Sequence, residues 1–172
     1  MEGQGSTPHR GIYARRYNIT MNDSSKRLIV DCDGVIADKN HGGVYANAGP
    51  LQHGIDQVNK LYDMGYEIVL YTARYGDREA GNINRQYERG YREWTDWLEK
   101  HGVKYHHAFM GKLAGVMYID DKAARVRGDS ENGWDEVWKE IDNLKGRDRY
   151  GNVTIEELGT DGKGIAYNLK RP

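Results

Sequence analysis

The sequence is short of cysteine, of long apolar runs and of any surplus of charge, and each shortage narrows what the protein can be. One cysteine, Cys32, cannot form an internal disulfide. No apolar stretch approaches the roughly 18 residues that suggest a membrane span. The opening MEGQGSTPHRGIYARR is polar where a secretory segment would be apolar. Lys and Arg number 25 against 26 Asp and Glu, a formal balance of -1, so the net field neither advertises nor excludes a nucleic-acid partner. Internal repeats and heptads are lacking too. The expectation is a soluble, cytoplasmic protein with no membrane partner, and 172 residues favour one hydrophobic core.

What is there is an alternation of short apolar runs with amphipathic ones, the pattern of parallel strands joined by helical crossovers. Arg27 to Asp31 reads as the first strand. Pro50 then precedes a helical pattern with Leu51, Ile55, Val58 and Leu61 inward, ending near Met64-Gly65. Tyr66 to Tyr71 is a second strand. A long helix follows from the Asn82 region to His101, closed by Gly102. Its Tyr87, Tyr91, Trp94 and Leu98 recur on one face, which reads as a core seam rather than a cofactor box. Val103 to Phe109 and Gly115 to Ile119 are expected as third and fourth strands. Trp134, Val137, Trp138, Ile141 and Leu144 mark a last helix, and Asn152 to Ile155 a strand-like piece in the tail. The fold class is therefore α/β, with an extension at 1–26, a catalytic domain at 27–145 and a C-terminal extension or small hairpin at 146–172.

Ligands of an open parallel sheet bind beyond the carboxyl ends of its strands. The polar residues following the expected strands are Asp31 with Asp33, Thr72 with Arg74, Lys112, and Asp120 with Asp121. Acids gathered at one rim repel one another unless a cation enters, and carboxylate oxygens favour a hard ion such as Mg2+. Such an ion binds phosphate. Lys112 supplies a positive charge against phosphoryl oxygens and Thr72 a hydroxyl donor. Gly34, with the backbone amides after Asp33, can approach the same phosphate without a side chain in the way.

These residues carry a family resemblance. Asp31-Cys32-Asp33-Gly34-Val35, Thr72 after its strand, Lys112 in Met110-Gly111-Lys112, and Asp120-Asp121 match, in order, the four motifs of the haloacid dehalogenase-like (HAD) hydrolase superfamily. The arrangement resembles that superfamily over about residues 27 to 127. The sequences YTAR, WLEKHGV and YIDDKA look like its small phosphatases of capsule or other sugar-phosphate biosynthesis. The resemblance implies a Rossmannoid three-layer fold around a central, mainly parallel sheet. It further implies a phosphomonoesterase in which Asp31 attacks phosphorus to give an aspartyl-phosphate and Asp33 serves as acid and base. Mg2+ would be held by Asp31, Asp33 through its backbone carbonyl, Asp120 and Asp121. The second aspartate argues for phosphoryl transfer rather than dehalogenation.

The intervals before Thr72 and before Lys112 are filled by core helices, so a minimal cap or none is expected. Asp38 to Gly49, with His41, Tyr45 and Asn47, is either an active-site flap or a plain surface loop. Gly34, His41, Tyr45 and Arg74 are the candidate substrate-binding residues; Arg74 reaches a phosphate or sugar acid, or forms a structural salt bridge. Cys32 is expected as a buried core thiol facing away from the aspartates. His106 and His107 point oppositely, with one of them a candidate for the site rim, and Asp77, Arg78 and Glu79 begin the approach to the long helix or form a solvated loop. The expected substrate is a sugar phosphate or related small phosphorylated metabolite. A nucleotide or polynucleotide 3'-phosphate is the enzymatic alternative, prompted in part by Arg85 to Arg92. A noncatalytic interaction domain is the alternative of another class, and a homo-oligomer is compatible with an open, uncapped site.

Overall fold

The computed structural model describes residues 26–39 and 42–145. It shows an α/β, Rossmann-like fold, consistent with the three-layer form expected. Three parallel strands, β1 (Arg27–Val30), β2 (Glu67–Thr72) and β3 (His107–Met110), lie side by side in that order. Arg27 is in register with Glu67 and Val30 with Leu70, while Val69 aligns with His107 and Thr72 with Met110. Helices α1 (Gln52–Asp63) and α2 (Ile83–Lys100) make the two crossovers, and α3 (Asp135–Leu144) follows a single 3-10 turn at Glu131–Trp134. The extensions at either end, Asn152 to Ile155 among them, lie outside the described residues, as does His41.

Strand alternation sorts the sheet into two faces. Leu28, Val30, Ile68, Leu70, Ala108 and Met110 enter the core with Ile55, Val58 and Leu61 of α1 and Trp94, Trp97 and Leu98 of α2. Tyr87 and Tyr91 pack against that cluster, so the aromatic seam is core as expected. On the other face stand Arg27, Ile29, Glu67, Val69, Tyr71, His107 and Phe109, lining one shallow pocket. Ile29 is 68% and Phe109 48% exposed there. Glu67 is buried, bridged by Arg27 at 2.9 Å and His107 at 3.2 Å.

Local sequence sets where the elements stop. Asn82 caps α2, its side chain accepting from the Arg85 amide at 3.2 Å. Gly65 and Gly102, both with positive φ, end α1 and α2, and the amides of Tyr66 and Val103 return to the carbonyls of Leu61 and Leu98. That last bond explains why β3 starts later than Val103. The amides of Val103 and Lys104 bond to Leu98 and to the Asn59 side chain, so ladder pairing begins only at His106.

The expected fourth strand does not form. Residues 113–120 are exposed, with Val116 at 109% and Ile119 at 95% relative to an extended reference. The Tyr118 hydroxyl donates to the Leu113 carbonyl and the Tyr118 ring lies under the Lys112 ammonium, folding the segment back on itself instead of along an edge. β-branched composition favours a strand only where a neighbouring strand receives it.

Candidate active site

β1 delivers Asp31 and then turns sharply. The amides of Val35, Ile36 and Ala37 all bond to the Cys32 carbonyl, and the Gly34 amide bonds to Ala37. Gly34 holds φ of 87°, a conformation glycine adopts without penalty. The backbone donors expected to face a phosphate are therefore occupied within the turn. Cys32 is fully buried, and burial pushes its thiol up to about 12. It is a core thiol, as expected.

Two charge pairs face the rim. Lys112, just past β3, places its ammonium 2.8 Å from Asp31 Oδ2, and the other Asp31 oxygen accepts from the Cys32 amide at 2.8 Å. The Lys112 amide bonds to the Thr72 carbonyl, so β2 and β3 together fix that lysine's root. The second pair is Asp33 with Arg74. Arg74 is buried and donates Nε to Asp33 Oδ2 at 3.0 Å and an η-nitrogen to Oδ1 at 2.7 Å. Burial is the largest influence and works against the Arg74 charge, but the hydrogen bond to Asp33 together with the charges of Cys32, Asp33 and Tyr45 outweighs it and holds the guanidinium above its ordinary value. Of the two roles open to Arg74, the salt bridge is the one seen. Thr72 is buried, its hydroxyl accepting from the Arg74 amide at 3.2 Å.

The loop between Asp38 and Gly49 is tied down at its base. Ala37 and Pro50 form an antiparallel bridge, and the Asp38 amide bonds to Gly49. Ala48 is buried and its carbonyl accepts from Trp97 Nε1 at 2.8 Å. Tyr45 is brought over the site, with its ring 5.1 Å from both the Arg74 guanidinium and the Tyr75 ring. A cleft of about 400 Å³ opens beside Asp33, lined by Lys39, Tyr45, Ala73, Arg74, Asp77, Arg78 and Ala114.

Asp120 and Asp121 are not part of this assembly. Both are exposed, and the Asp120 side chain accepts from the Lys122 amide at 2.8 Å. Among the described residues no group of three or more His, Cys, Asp or Glu could hold a metal ion. The acids of the expected Mg2+ site thus do not fit a metal as arranged, because the Asp31 carboxylate is matched to Lys112 and Asp120 and Asp121 form no metal-holding group with it. His106 and His107 also lie away from the rim. His106 Nδ1 accepts from the Ile68 amide and its ring stacks on Tyr62, while His107 pairs with Glu67. Glu79 is buried and pairs with Arg89 at 3.3 Å, which sets aside the solvated loop for this residue and leaves the approach to α2.

Lys39 and Arg78 line the cleft although the sequence points to neither as a site residue, Arg78 being expected only in the approach to α2 or a solvated loop. A signal existed: each is a basic residue four to five positions beyond a motif residue, Gly34 or Arg74. Spacing alone could not show that both loops fold toward the same opening.

No family model matches the sequence, and no curated protein does. The crystal structure of a target protein from Vibrio cholerae aligns with a TM-score of 0.60 at 31% identity, covering 70% of this chain and 97% of that one. The two chains belong to one family. That likeness extends over nearly the whole of the Vibrio cholerae protein and bears out the α/β fold on which the rim is built.

Proposed function

We propose that the protein is a phosphomonoesterase of the HAD type, acting on a sugar phosphate or related small metabolite. The observation that carries the reading is the 2.8 Å contact between Asp31 and Lys112 at the carboxyl rim of the parallel sheet. A nucleophilic carboxylate must approach an anionic phosphoryl group, and an ammonium beside it lowers that repulsion.

In the proposed reaction an Asp31 oxygen forms a bond to phosphorus as the bond from phosphorus to the ester oxygen breaks. Asp33, ion-paired in the free protein, takes up a proton as the substrate binds and gives it to the departing alcohol oxygen. The same carboxylate then removes a proton from the water that attacks the aspartyl-phosphate, releasing inorganic phosphate and restoring Asp31. Arg74 orients the Asp33 carboxyl, and the Thr72 hydroxyl donates to a phosphoryl oxygen. The family resemblance implies Mg2+ as well, but the acids as arranged do not fit that ion, and no step is routed through it.

The arrangement of α2 favours a small substrate over a polynucleotide. Tyr87 and Tyr91 stack on each other with centroids 5.2 Å apart and pack against the core, and Tyr87 accepts from the Met110 amide. They are not free to stack on bases.

The test is phosphate release from a panel of sugar phosphates, nucleotides and 3'-phosphorylated oligonucleotides, with and without Mg2+. Asp31→Asn is expected to lower turnover at least about a thousandfold while leaving the circular dichroism spectrum unchanged, because the attacking oxygen is lost and the side-chain shape is kept. Turnover by that variant equal to the parent's would remove Asp31 as nucleophile. Absence of phosphate release from every member of the panel, alongside a partner that binds regardless of the aspartates, would favour the noncatalytic domain.

A further inference from the structure

We infer that the substrate carries a second anionic group besides the scissile phosphate, and that Lys39 and Arg78 are its counter-ions. This rests on the phosphomonoesterase reading and names the substrate class more narrowly. Asp31 with Lys112 and Asp33 with Arg74 are matched charge for charge. What remains along the cleft is Lys39, Arg78 and Asp77, a surplus of one positive charge. Among the described residues neither Lys39 nor Arg78 forms an ion pair with a carboxylate.

Both cations are positioned over the opening. The Lys39 side chain lies across Gly34, its ammonium 2.9 Å from where a Cβ on that glycine would stand. A side chain at position 34 would displace it, so the glycine serves the placement of the lysine as well as the turn. Arg78 donates to the Gly43 carbonyl, and its guanidinium lies 4.8 Å from the Tyr45 ring centroid and 5.4 Å from that of Tyr75. Stacked and tethered on two rings, the guanidinium loses less freedom when it receives an anion than a free surface arginine would. The cleft's volume of about 400 Å³ is more than a phosphate group needs and falls in the range of small-molecule sites. Asp33 and Arg74 line the same cleft as Lys39 and Arg78, so a carbon skeleton bound beside Asp33 lies in the opening that Arg78 borders.

A carboxylate and a second phosphate share the chemistry that these two side chains recognise, and matched pairs separate them. The full-length protein, Lys39→Gln and Arg78→Gln are assayed on glucose 6-phosphate against 6-phosphogluconate, and on fructose 6-phosphate against fructose 1,6-bisphosphate. The parent is expected to favour the more anionic member of at least one pair by about tenfold in kcat/KM, through KM, as for one charge-assisted contact. Each substitution is expected to bring that ratio down at least about fivefold. Preference within the first pair identifies a sugar acid phosphate, and within the second a bisphosphate. A ratio near one in the parent for both pairs, or a ratio untouched by both substitutions, overturns the inference. Calorimetric binding of the same four compounds gives the same ratios without turnover. If phosphate release fails but Arg78→Gln still erases a binding preference, the phosphatase reading falls and the anion site stands.

Discussion

At the scale of single residues, the site is a matter of which charge answers which. Asp33 and Arg74 illustrate this. The sequence places both after strands and leaves open whether Arg74 serves a ligand or a salt bridge; only the fold shows its donors directed at Asp33 from a buried position. Cys32 is the contrary case, since strand alternation alone turned it inward. Its buried thiol yields a prediction. Iodoacetamide at about pH 8 should leave the native protein unmodified and alkylate Cys32 once the chain is unfolded in concentrated urea, because only a thiolate attacks; rapid native labelling read by mass spectrometry would contradict the burial. The same shift links to stability. Above about 9 an unfolded thiol releases its proton while the folded one keeps it toward about 12, so the folded state binds more protons and stability falls as pH rises through that interval. Below it the contribution is complete. In Cys32→Ala this part of the alkaline decline, followed by urea midpoints, should disappear.

The elements were legible in proportion to how local their causes are. Helices α1 and α2 follow from apolar spacing, an Asn82 cap and closing glycines, all within a few turns of sequence. The start of β3 and the expected fourth strand did not follow, because a strand exists only by pairing. At Val103 and Lys104 the backbone donors go to the end of α2 and to Asn59 instead. The seat of α1 against the aspartate turn was equally hidden. Gly54 is buried there, and a Cβ on it would overlap the Val35 carbonyl oxygen. Gly54→Ala should therefore destabilise the protein by about 1–3 kcal/mol, despite a helix-propensity gain of roughly 1 kcal/mol. Urea unfolding measures the difference. A neutral or stabilising result would mean that α1 does not lie so close to the turn.

For the whole molecule, the exposed apolar side chains of the described residues include Ile29 and Phe109 on one sheet face and a run from Leu113 to Ile119, besides single residues such as Val44, Met64, Ile83 and Leu144. No described helix is long and apolar enough to cross a membrane. Because Val116 and Ile119 meet solvent, Val116→Asp and Ile119→Asp should each change stability by under about 0.5 kcal/mol. A loss above about 2 kcal/mol in thermal or urea unfolding would show that the segment packs as a strand after all, with Asp120 carried along with it. The sequence by itself determined the α/β alternation, the helix boundaries and the placement of Asp31, Asp33, Thr72 and Lys112 after strands, because periodicity, caps and turn glycines act over short distances. Only the tertiary structure decided that Lys112 meets Asp31, that Arg74 clamps Asp33, and that Lys39 and Arg78 border one cleft. Those encounters join loops some 40 to 80 positions apart, and which charges meet depends on how the sheet and its crossovers are stacked rather than on any local preference.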